Sequence, residues 1–121
     1  MMNNKHAYTI GRVLFGLPFV VFGLNHFMMA DAMTMLVPAF LPFAIFWVYF
    51  TGLILVVCGL AVMADRYRQY ACYVLAVFLL LTMFSIHMIG MMSADPAMAM
   101  VSFLKDMGLL GGCLMLSAWE N

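Results

Sequence analysis

Six polar side chains stand in stretches of sequence that are otherwise apolar: Asn25, His26, Ser85, His87, Lys105 and Asp106. Charged groups near a bilayer centre cost about 2.5–3.5 kcal/mol each on insertion scales, so a helix that keeps them uses them for pairing or for function. A carboxylate beside an imidazole can hold or pass a proton, and a lysine can seat an anion. Two histidines on separate helices can ligate haem when both rings point into one cavity. The same residues can equally serve to hold helices together, at about 0.6 kcal/mol per hydrogen bond. The pairing expected here has Asp106 accepting from His26 or His87, with Lys105 reaching outward to Asp31, Asp95 or a bound anion.

Four apolar runs of about 20 residues, the length needed to span a bilayer, have to position these groups. They cover residues 9–29, 41–63, 69–92 and 97–119. The first connection, ADAMTMLVPAFLP, carries Pro38 and Pro42 at the approach to the second helix and has room for a short interfacial helix. ADRYRQ and SADP are short enough to make their neighbours antiparallel. The expected fold is all-α, a single domain over residues 1–121 forming an integral membrane up-down bundle of four transmembrane helices. With a 1.5 Å rise per residue, His26, His87, Lys105 and Asp106 fall in one layer toward the outer side, the last two about a third of the way into the fourth helix.

Lys5, Arg12, Arg66 and Arg68 flank the start of the first helix or occupy the second loop, and the first and third loops hold no Lys or Arg. The positive-inside rule therefore puts both termini in the cytoplasm. Trp47, Tyr67, Tyr70 and Trp119 are placed as interfacial anchors. Ala30-Asp31-Ala32 imitates a signal-peptide cleavage site, but the run before it is long enough to span, and a retained helix is expected.

Composition agrees with a lipid solvent. The chain is 68% hydrophobic and 8% charged over 121 residues, more apolar surface than a small domain can hide from water. A formal charge of zero with no basic run excludes nucleic acid as a partner. Cys58, Cys72 and Cys113 are odd in number, lack metal-ligand spacing and lie in apolar runs, where cysteine acts as a small hydrophobe. Of the 15 methionines, Met28, Met29, Met33, Met35, Met88, Met91, Met92, Met98 and Met100 gather toward the outer side. Thioethers suit Cu(I), but flexible apolar surface for a partner is the reading taken, and no metal site is assigned. Gly11, Gly16 and Gly23 in the first helix and Gly108, Gly111 and Gly112 in the fourth suit close packing. Pro18 removes one hydrogen bond from the first helix and can kink it.

FLKDMGLLGG, residues 103–112, resembles the LKDLxLxGG-type segment of the DoxX family of small bacterial four-helix membrane proteins. GRVLFGLPFVVFGLNHF resembles the first helix of that family, and VPAFLPFAIFWVYFTG and SIHMIGMM resemble a subgroup with a Pro-rich start to helix two and a His in helix three. Arg12, Gly23, His26, Lys105 and Asp106 match family positions on this basis. Many relatives carry an acidic residue in the second helix, where this chain offers Tyr49 and Thr51.

The resemblance implies a bacterial inner-membrane location and a small membrane partner of something larger. The leading expectation is an accessory or assembly subunit of a redox-linked membrane complex, not catalytic on its own, lying in the lipid bilayer with a larger protein or further copies of itself. The alternative is a membrane oxidoreductase component that binds quinone, haem or another small ligand in the polar layer. Third is a small transporter, which would have to act as an oligomer because one bundle supplies no inverted repeat.

Overall fold

The computed structural model describes residues 4–37, 40–84 and 96–119, and among them all regular structure is helical. Helix α1 is Asn4–Met28, α2 is the single turn Ala30–Met33, α3 is Ala44–Ala64, α4 is Arg68–Thr82 and α5 is Pro96–Ala118, with a tighter turn at Thr34–Leu36 between α2 and α3. Three of these are long and apolar enough to cross a membrane: α1, α3 and, over Ala97–Ala118, α5. Helix α4 is apolar but shorter, at 15 residues. The expected third span runs to residue 92, and residues 85–92 lie outside the described part.

Helix boundaries differ from the sequence expectation where polar chemistry or backbone strain intervenes. Helix α1 starts at Asn4 rather than Thr9, because backbone hydrogen bonding continues past the apolar run and brings Tyr8 into a polar cluster. Helix α3 starts at Ala44 rather than Leu41. Pro42 supplies no N–H, and Phe43, in the left-handed region (φ 58°, ψ 57°), turns the chain before the first helical residue. The Phe43 carbonyl accepts from the N–H groups of Phe46 and Trp47, and the Trp47 indole N–H donates to the Pro42 carbonyl at 2.9 Å. The short helix expected in this connection is present as α2. Helix α1 runs unbroken through Pro18, and α5 begins on Pro96, whose missing N–H costs nothing at a first helical position.

The chain forms two compact units, Met1–Ala71 and Cys72–Asn121. In the first, α1 and α3 pack along a seam of seven-residue period, the spacing that keeps one stripe of a helix against its neighbour. The α1 side reads Arg12, Gly16, Phe19, Gly23, His26, and the α3 side reads Val48, Gly52, Leu55, Gly59, Val62. Phe19, Val48, Leu55 and Val62 are almost wholly buried. A Cβ on Gly16 would meet the Gly59 carbonyl oxygen at 2.8 Å, and one on Gly23 would meet that of Gly52 at 2.7 Å. Only glycine admits backbones this close. Phe27 and Tyr49 stack at 5.6 Å near one end of the seam.

In the second unit the buried residues of α4 from Cys72 onward are Cys72, Leu75, Ala76 and Leu79, and those of α5 are Asp106, Cys113 and Ser117. Both sets repeat at helical spacing. Phe84, just beyond α4, meets Phe103 of α5 edge-on at 6.3 Å.

Candidate functional site

Asp106 is the buried acid of α5, at 3% exposure. It lies about 15 Å along the helix from Pro96 and about 18 Å from Ala118, near the middle of α5. Its described partners come from its own unit. Lys105 Nζ is 3.7 Å from Oδ1, with the lysine side chain 48% exposed. Thr82 of α4 reaches Oδ2 at 3.4 Å. The single Thr82 hydroxyl proton has the Leu79 carbonyl at 3.0 Å as its alternative acceptor, so the threonine can turn between satisfying its own helix and satisfying the acid. Lys105 thus pairs with its sequence neighbour, although side chains one residue apart leave the helix about 100° apart; its length and flexible stem let the ammonium fold back.

His26 lies on the α1 side of the α1–α3 seam, where a Cβ on Gly52 would come within 2.7 Å of the histidine Cβ. Its Nδ1 is 2.6 Å from the Phe22 carbonyl. A carbonyl only accepts, so Nδ1 donates this hydrogen bond. Asn25, beside it, is half-buried. Ser85 and His87 lie outside the described residues. Among the described residues no group of three or more His, Cys, Asp or Glu could hold a metal ion.

The predicted packing glycines divide into two kinds. Gly16 and Gly23 are filled by α3, whereas among the described residues nothing beyond the local helix backbone lies within 4 Å of a Cβ placed on Gly108 or Gly111, nor on Gly11. Gly112 is half-buried.

A second polar centre was not anticipated as a unit. Asp65 ends α3 in the left-handed conformation (φ 58°, ψ 38°), with its N–H on the Val62 carbonyl and the Arg66 N–H on the Ala61 carbonyl. This is the paired closure that usually calls for glycine; here the side chain is put to use. Arg68 Nη1 donates to Asp65 Oδ1 at 2.6 Å and to the Tyr8 hydroxyl at 2.5 Å. Tyr8 donates in turn to Asp65 Oδ1 at 3.3 Å. Arg12 reaches Asp65 Oδ2 at 3.4 Å through Nη1 and the Met63 carbonyl at 3.3 Å through Nε, and its guanidinium lies 5.0 Å from the centre of the Tyr8 ring. Both arginine side chains keep only 11% exposure. The cluster ties the start of α1 and the start of α4 to the end of α3. Arg12 and Arg68 were read from the sequence for orientation and resemblance; the signal that joins them is the antiparallel register of α1 and α3, which brings residue 12 opposite residues 63–65.

The family model described as Domain of unknown function (DUF8561) matches residues 15–108, well over half of the chain. The chain belongs to that family. The matched stretch holds the four seam glycines, Asp65, Arg68, Lys105 and Asp106, and leaves Tyr8 and Arg12 outside it. No curated protein and no solved structure matches the chain.

Proposed function

We propose that this is a DoxX-like bacterial inner-membrane protein of four spanning helices, serving as an accessory or assembly subunit of a larger, redox-linked membrane complex. The fourth span in this reading is the one that begins with α4. The observation that carries it is the contrast between glycines. Gly16 and Gly23 of α1 are occupied by α3, while among the described residues of its own unit no neighbour fills Gly108 or Gly111, on a helix long and apolar enough to cross a membrane, among the exposed side chains of Leu104, Met107 and Met115. Small residues at spanning depth let a helix approach closely, and a partner subunit supplies that helix.

Orientation follows from charge. Within the first unit Lys5, Arg12, Arg66 and Arg68 stand toward the end where α1 starts and α3 stops, and Asp31 follows the far end of α1. Basic residues are held on the cytoplasmic side, so both termini are cytoplasmic.

Purification of the tagged chain from its native membrane in mild detergent, followed by mass spectrometry and an absorbance spectrum of the same fraction, tests this. The expected result is a larger membrane protein in fixed stoichiometry. A protein isolated alone would contradict it. The small-ligand reading is favoured by the near-complete burial of Asp106 at mid-helix, and haem absorbance or an extractable quinone in the lone protein would establish it instead.

A further inference from the structure

The Asp65 cluster has an outward side that the helix-tying role does not explain. Lys5, Arg12, Arg66 and Arg68 against Asp65 give this end of the first unit a formal charge of +3 (four positive, one negative). Arg12 is the less tightly held of the two half-buried cations. Asp65 takes Arg68 at 2.6 Å, whereas Arg12 is held by Nη1 on Asp65 at 3.4 Å, by Nε on the Met63 carbonyl at 3.3 Å and by the Tyr8 ring at 5.0 Å. Among the described residues none accepts from its Nη2 group. A guanidinium withdrawn from water but weakly paired attracts an anion.

Backbone geometry points the same way. Arg66 is bracketed by two non-glycine residues in the left-handed region, Asp65 (φ 58°) and Tyr67 (φ 53°). L-residues adopt that conformation at a cost, and such strain tends to collect where a segment is shaped for a ligand. The result presents Arg66 and Tyr67 to the outside, with Tyr70 also exposed one turn on. Tyrosines at the ends of apolar helices sit at headgroup level, and basic residues there are drawn to anionic lipid.

We infer that Arg66, flanked by Tyr67 and Tyr70 and backed by the positive charge of Arg12 and Arg68 on Asp65, binds the phosphodiester headgroup of an anionic phospholipid. The guanidiniums supply the charge and the fork of donors, and the tyrosines border the glycerol level. Neither the partner complex nor any chemistry at Asp106 enters this inference, so it stands or falls separately from the proposed function.

The test is thermal unfolding of the full chain in neutral detergent with phosphatidylglycerol, phosphatidylcholine or inorganic phosphate added at equal concentration. Phosphatidylglycerol should raise the midpoint by about 4 °C or more, and phosphatidylcholine and phosphate should not. Arg66→Gln, at an exposed position, should unfold at the wild-type midpoint without lipid yet lose most of the phosphatidylglycerol shift. Native mass spectrometry of the same samples should show one retained phosphatidylglycerol in the wild type and less in Arg66→Gln. Equal shifts from the two lipids, a full shift in Arg66→Gln, or the same shift from inorganic phosphate would each overturn the inference.

Discussion

Gly23 of α1 and Gly52 of α3 face each other so closely that a Cβ on Gly23 would lie 2.7 Å from the Gly52 carbonyl oxygen, and one on Gly52 would lie 2.9 Å from that of Gly23. The relationship repeats one heptad away at Gly16 and Gly59. Between the two contacts Phe19 is 1% exposed, so the seam is closed by backbone at the glycines and by aromatic and aliphatic side chains between them.

Gly23→Ala should therefore destabilise by about 1–3 kcal/mol, the range for overpacking a filled site. The obstruction includes backbone, the Gly52 oxygen and the Val56 nitrogen at 2.9 Å, which cannot rotate away. Gly111→Ala, where nothing among the described residues lies within 4 Å, should leave stability unchanged or slightly raised. Equilibrium unfolding of the two variants in one detergent checks the difference, and equal losses would mean that the seam is not as close as described.

Asp65 has two tasks, and substitutions separate them. Asn tolerates the left-handed backbone but cannot balance two guanidiniums, so Asp65→Asn should lose about 1.5–3 kcal/mol, the range for hydrogen bonds to charged groups. Asp65→Gly removes the same carboxylate while relieving about 1–2 kcal/mol of backbone cost, and should be the milder change. Asp65→Ala, losing the carboxylate without that relief, should be the most damaging. The order Gly, Asn, Ala in unfolding midpoint is the readout; Ala equal to Gly would show that the backbone conformation contributes nothing.

Thr82 and Asp106 should be coupled, but weakly. Their 3.4 Å contact competes with the Leu79 carbonyl, and membrane hydrogen bonds average about 0.6 kcal/mol with a ceiling near 1.7. A double-mutant cycle with Thr82→Val and Asp106→Asn should fall inside that range. A coupling of zero would remove Thr82 as a partner of the acid.

How much of this was legible beforehand depends on what each feature needed. The apolar runs carry the helices because length and hydropathy are local properties, and Pro96 and Pro42 mark starts through their missing N–H groups. The strained turn at Phe43 displaced one boundary by three residues, since nothing in a phenylalanine announces a left-handed backbone. Gly16 and Gly23 were legible as packing residues; Gly52 and Gly59 were not, although the same seven-residue spacing is present in α3. Asp65 went unnoticed because its value lies in the register between α1 and α3, which joins residues more than 50 positions apart. Asp106 was found by its chemistry, a charge in an apolar helix, while the identity of its partners required the fold.

The central claim, that the open glycine face of α5 receives a helix of a partner subunit, is tested most directly by the mass of the native complex extracted from membranes containing wild type, Gly108→Leu or Gly111→Leu. The account predicts that the leucine variants keep the unfolding midpoint of the isolated chain and lose the larger assembly. Leucine variants that co-migrate with the partner as fully as wild type would contradict it.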